Sequence, residues 1–162
     1  MILETNTTEQ LIKLVLDRKL DGAFIAGSTQ HNELHSNVFH EEELVLISKK
    51  TLSSLKDIED MNLLAFSHGC YYRSLLEDWL QEEDISPKRV LEFGTIEAIL
   101  ACVKSSMGVA IMMKSILKGH EHDVSFNPLP NSFNKVPTTF ITRNDIFRSA
   151  ALQKFMEVTH NA

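Results

Sequence analysis

A chain of 162 residues, 43% hydrophobic and 23% charged, has ordinary globular composition and enough apolar side chains for one domain or two small lobes. Sixteen Lys and Arg against 22 Asp and Glu leave a net charge of -6, which excludes the basic face needed to grip a phosphate backbone. The apolar runs are strand-sized, far below the roughly 20 residues of a bilayer span, and no secretory leader pattern opens the chain, so a soluble cytoplasmic protein is expected.

The first pieces, ILET, NTTEQLIKLVLDRKL and DGAFIAG, read as strand, helix and strand, with Leu11, Leu14 and Val15 on one helical face. STQHNELHSNVFHEE is polar and reads as a loop, and EELVLIS as a compact strand. The alternation then repeats: strand Leu63 to Phe66, helix Tyr72 to Gln81, strand Val90 to Phe93, helix Ile96 to Ser105, strand Val109 to Met112. Ile96, Ile99, Leu100 and Val103 form an i, i+3, i+4, i+7 stripe. Beyond it lie an irregular segment with a short strand around Val124 to Phe126, the strand TTFIT, and the amphipathic helix SAALQKFMEV. This alternation predicts an α/β fold with two parallel sheets, each carrying helices on both faces.

LIKLVLDRKLDGAFI, FHEEELVLISKK, FSHGCYYRSLLEDWL and EFGTIEAILACVKSSMGVAIMM, in this order, resemble the effector-binding domain of LysR-type transcriptional regulators. The likeness covers most of residues 1 to 117. It implies two Rossmann-like lobes of the periplasmic-binding-protein type II architecture, with a small effector held between them. Lobe I is expected from residues 1–50 plus 120–162, and lobe II from 51–119. The resemblance also implies that the family's N-terminal winged helix-turn-helix is not in this chain, and that Ile2 to Thr5 matches the family's second strand. Lobe I would then lack its first strand and helix, with an unpaired edge, strain or self-association as the consequence. DNA contact would belong to the missing N-terminal domain, and the full-length protein would form homodimers or tetramers.

Ligands of open α/β sheets sit beyond the carboxyl ends of strands, where helix N-termini offer free N–H groups. Four polar turns fall at such ends: Asn6-Thr7-Thr8, Gly27-Ser28-Thr29, Ser67-His68-Gly69-Cys70 and Gly94-Thr95-Ile96. The candidate ligand-binding residues are therefore Thr7, Gly27, Ser28, Ser67, His68, Gly69, Cys70, Thr95 and Ile96. Each turn read by itself is equally explained by local capping, since Ser, Thr and Asn favour helix N-caps whatever the function. Hydroxyls and amides together suit a small polar or anionic metabolite. Arg73, in the first helical turn, either adds charge to the site or points to solvent.

Cys70 at a helix start near His68 and Arg73 has the surroundings of a reactive thiol, but Cys102 falls in another helix, and a redox sensor is the weaker reading. His31 and His35, with His40 nearby, and His120-Glu121-His122 could in principle ligate zinc, but His31 and His35 fall in a loop that does not fix their i, i+4 geometry and no C-x-x-C pair supports them, so neither a metal nor any other cofactor is expected. G-x-S-x-G, the P-loop and G-x-G-x-x-G are missing, and no catalytic residues are assigned. A solute-binding protein of a transporter shares the implied fold and stands as the alternative.

Overall fold

The computed structural model describes residues 3–145 and 150–160, the side chains of 159 and 160 excepted. The chain divides into two compact units, residues 1–41 with 137–162 and residues 42–136. These borders fall inside two long strands, whereas the sequence placed them at 50/51 and 119/120. The strand that crosses first is Leu34–Ser48, fifteen residues long, and its polar half was expected to be a loop. Seven consecutive residues of that half are exposed, so no apolar alternation marks it as a strand.

In the first unit, α1 (Thr8–Leu16) precedes β1 (Gly22–Ala26), and β7 (Lys135–Arg143) pairs antiparallel with β1. Val15, Ala23, Ile25, Leu34 and Ile141 form the core between α1 and these strands. Phe24 and Phe140 meet Phe155 of α4 (Ala150–His160), with ring centroids 4.8 to 6.0 Å apart. Ser149, assigned to this helix from sequence, lies outside the described residues. Of the strand expected over ILET, Ile2 lies outside the described residues and residues 3–5 form no strand; Leu3 is exposed. Among the described residues no strand lies on the free side of β1, so the edge expected to be unpaired is so.

The second unit is a mixed sheet rather than the parallel one expected. The apolar half of β2 (Leu34–Ser48) pairs antiparallel with β5 (Gly108–Met113) and β6 (Ser125–Pro128). β3 (Asn62–Ala65) lies parallel between β5 and β4 (Arg89–Glu92). The antiparallel members come from hairpin-free returns of the chain, which a βαβ reading of consecutive elements does not anticipate. Residues alternate across this sheet. Val45, Ile47, Leu64, Ala110 and Met112 pack with Ile99, Leu100 and Val103 of α3 (Ile96–Lys104). The opposite parity, including Leu63 and Val109, lies on the side of α2 (Tyr71–Glu82), whose Leu76, Trp79 and Leu80 are buried. Burial of these two helix faces against the sheet helps to fasten the strand ends that carry the candidate turns.

Candidate functional site

β3 and β4 run in parallel register with Ala65 opposite Glu92, and the Phe93 amide donates to the Ala65 carbonyl at 2.9 Å. Two of the four turns therefore leave from neighbouring carboxyl ends. The first is a β-turn in which the Cys70 amide donates to the Ser67 carbonyl at 3.3 Å, and Gly69 has φ 85°. Positive φ at the third position is what a type II turn requires, which accounts for the glycine between His68 and Cys70. The second turn, Gly94-Thr95, leads into α3.

The two helix starts differ. The Thr95 hydroxyl accepts from the Ala98 amide at 3.2 Å, so it is spent on its own helix. Cys70 occupies the N-cap of α2 without a side-chain cap, and no described residue accepts from the Tyr71 or Tyr72 amides. Ser67, His68 and Thr95 are exposed, Gly69, Cys70 and Ile96 half-buried. The Ser67 hydroxyl has no partner among the described residues.

In the first unit, the Thr7 hydroxyl likewise caps α1, accepting from the Gln10 amide at 3.4 Å. Gly27 is buried with φ 82°, and both of its backbone groups are engaged: its amide donates to the Pro137 carbonyl at 2.8 Å and its carbonyl accepts from the Thr139 hydroxyl at 2.7 Å. Ser28, next along, is exposed. Local capping thus accounts for Thr7 and Thr95 as fully as a ligand would.

Arg73 neither points to solvent nor lends free charge. Its side chain is 7% exposed, and side chains in a helix lean toward the N-terminus, which takes the guanidinium back under the first turn. There Nε donates to Glu77 at 2.8 Å, Nη1 to the Phe66 carbonyl at 3.2 Å and to Glu92 at 2.5 Å, and Nη2 contacts His68 Nε2 at 3.0 Å. One cation thus faces two carboxylates, and the charge balance beneath the turns is negative. Anion recognition here must come from amides, hydroxyls and helix dipoles. Periodicity alone did not reveal this brace, because Glu92 is nineteen residues away and is brought near only by the β3–β4 pairing.

Burial draws the Arg73 guanidinium down, but hydrogen bonds to Glu92 and then Glu77 outweigh it and hold it above its ordinary value. The same hydrogen bond from Arg73 holds Glu92 below the usual carboxylate range, with His68 a lesser contributor. A carboxylate with a lowered folded-state value stabilises the fold at pH above its unfolded value and loses that contribution as pH falls through the lowered one. We expect the urea midpoint to decline with acidification below about pH 4, and Glu92→Gln to remove part of that slope. An unchanged slope in the variant would mean that Glu92 and Arg73 are not paired in solution.

Burial pushes the neighbouring Tyr72 phenol up to about 12, with Glu42 and Cys70 adding to it, and the hydroxyl donates to Met113 Sδ at 3.4 Å. It stays a neutral donor at the carboxyl end of β5. Cys102, on α3 itself, is half-buried against the core of the second unit, and both cysteines are free thiols. No group of three or more His, Cys, Asp or Glu residues able to hold a metal ion occurs among the described residues. Among them, too, no helix is long and apolar enough to cross a membrane.

Two α/β units linked by strands that run from one into the other have the periplasmic-binding-protein type II fold of effector-binding domains. The CcmR regulatory domain of Synechocystis PCC6803, in complex with 2-PG, has a TM-score of 0.81 at 17% identity, covering 96% of this chain and 79% of that one. The effector binding domain of QuiR in complex with shikimate follows at 0.79 and 18%, covering 96% and 78%. At these identities the likeness is one of fold. The sequence matches the LysR substrate binding domain over residues 1–162, and the chain belongs to that family.

Two curated relatives are closer in sequence. The HTH-type transcriptional regulator SoxR of Arthrobacter sp. (strain TE1826) is 40% identical over 160 residues, 98% of this chain and 55% of that protein. The HTH-type transcriptional regulator GltR of Bacillus subtilis (strain 168) is 36% identical over 159 residues, 95% and 54%. The chain spans about half the length of these relatives.

Proposed function

We propose that this chain is the effector-sensing part of a cytoplasmic LysR-type transcription regulator, a binding domain and not an enzyme. Its effector is a small metabolite with carboxylate or phosphate oxygens. Effector binding changes the arrangement of a homodimer or higher oligomer, and DNA is held through a winged helix-turn-helix domain. The single observation that carries the ligand assignment is the pair of adjacent turns after β3 and β4, with the uncapped amides of α2 and the unpartnered Ser67 hydroxyl. The proposed contacts of the second unit are Ser67, His68, Gly69, Cys70, Thr95 and Ile96. On the first unit they are Thr7, Gly27 and Ser28, of which Ser28 has the freest donor.

The test is thermal melting against small carboxylates and phosphates, with shikimate, benzoate and 2-phosphoglycolate as starting probes. A ligand at a hundred times its Kd stabilises the folded state by about 2.7 kcal/mol, which raises the Tm by about 5–11 °C for a chain of this size. Ser67→Ala is the diagnostic variant: removing an exposed, unpaired hydroxyl leaves the unliganded Tm unchanged but reduces the ligand-induced rise. A rise that survives Ser67→Ala and His68→Gln undiminished sinks the assignment of these turns.

A further inference from the structure

We propose that Arg73 is a positioning residue that locks His68 into a single neutral tautomer, so that the Ser67–Cys70 turn presents an N–H donor from Nδ1. The contact between Arg73 Nη2 and His68 Nε2 is 3.0 Å. A guanidinium carries five N–H donors and no acceptor, and it does not deprotonate in proteins. The imidazole nitrogen facing it must therefore supply a lone pair. A neutral imidazole with a bare Nε2 carries its proton on Nδ1.

Arg73 cannot turn aside to relieve this demand. Glu77, the Phe66 carbonyl and Glu92 hold the other arms of its fork, and its side chain is 7% exposed. Glu92 Oε1 lies 3.9 Å from the same His68 nitrogen, the position from which it would pair with a charged imidazole. Near pH 8, where an imidazole is ordinarily neutral, the nitrogen that meets Arg73 is the one that offers a lone pair. The His68 side chain is 80% exposed, which leaves Nδ1–H open to a partner.

The consequence for recognition rests on the function proposed above. An orienting residue behind the turn makes His68 a donor and withholds its acceptor. Ligands offering oxygen lone pairs are favoured over those offering only N–H groups, although Arg73 itself contributes no free charge. Specificity then comes from a donor whose direction is fixed by a buried group.

Long-range proton–nitrogen NMR of the full chain, labelled at the imidazole nitrogens and recorded near pH 8, reads the tautomer directly. His68 is assigned by its loss in His68→Gln. The expected result is a protonated Nδ1 and a bare Nε2, favoured by about tenfold or more, the equivalent of one charge-assisted hydrogen bond. In Glu92→Gln, where Arg73 still donates, the same tautomer persists. A proton on Nε2 in the wild type overturns the proposal, and so does a tautomer switch in Glu92→Gln, which would make Glu92 the orienting group. Neither readout needs a ligand, so a failed melting screen and a failed tautomer assignment remain separate results.

Discussion

Gly108→Ala will lower the Tm by about 6–12 °C, while Gly94→Ala will leave it within about 2 °C. Gly108 opens β5 opposite Asn62 in the parallel β3–β5 pairing. A Cβ added there lies 2.1 Å from the Asn62 carbonyl oxygen and 2.9 Å from its carbonyl carbon, and both are backbone atoms. No rotamer change relieves such a clash, so the strands must part, at a cost of about 3 kcal/mol, the upper end of ordinary overpacking. The Asn62 side chain donates to the Met107 carbonyl at 2.8 Å, a bond that the same displacement would break. Gly94 has no neighbour within 4 Å of an added Cβ, which makes it the control within the same unit. The functional consequence runs along β3. Five residues after Asn62 comes Ser67, so strands that part at one end carry the proposed ligand turn out of register with β4 at the other. Circular-dichroism melts of the two variants decide the matter, and equal melting would mean that Asn62 and Gly108 are not opposed.

The readable parts of the sequence are those whose burial follows a simple period. Ile99, Leu100 and Val103 are all buried as their helical spacing requires, and Val109 to Met112 are buried on both faces, so an unbroken apolar run announced them. The glycine of Ser67-His68-Gly69-Cys70 was legible as a turn because a positive φ leaves few alternatives. The outer half of β2 was not: a strand exposed on both sides has the composition of a loop, and only its pairing defines it. Residues 3–5 of ILET failed in the opposite way, having strand-like character but no strand partner among the described residues, and Leu3 stays in solvent. Among the site residues, the turns could be placed from sequence, but the use of their atoms could not. Thr7 and Thr95 differ from Ser67 only in what accepts from whom, and Gly27 is closed off by Pro137 and Thr139, over a hundred residues along the chain. Arg73 is the clearest case. A charged residue in a first helical turn reads equally as a site charge or as solvated, and its burial depends on a carboxylate delivered by another strand.

Trp79→Ala will cost about 3–5 kcal/mol, whereas Trp79→Phe will cost no more than about 1 kcal/mol despite the lost volume. Trp79 is 1% exposed on the inner face of α2, and truncation to alanine leaves a cavity that the surrounding strands cannot fill. Its indole Nε1 is buried with no hydrogen-bond partner among the described residues. An unpaired buried N–H already carries a desolvation penalty of about 1–3 kcal/mol in the native state. Phenylalanine removes that group along with part of the ring, so the two effects oppose each other and nearly cancel. Urea denaturation with both variants separates them, and a Phe variant as unstable as the Ala variant would mean that the indole N–H is satisfied in solution. The outcome reaches the proposed site through α2. Trp79 is six residues after Arg73 on the same helix, and the helix that Trp79 anchors to the sheet is the one that holds the guanidinium under the turn. Trp79→Ala should therefore weaken the ligand-induced rise in Tm as well as the unliganded fold, while Trp79→Phe should leave that rise intact.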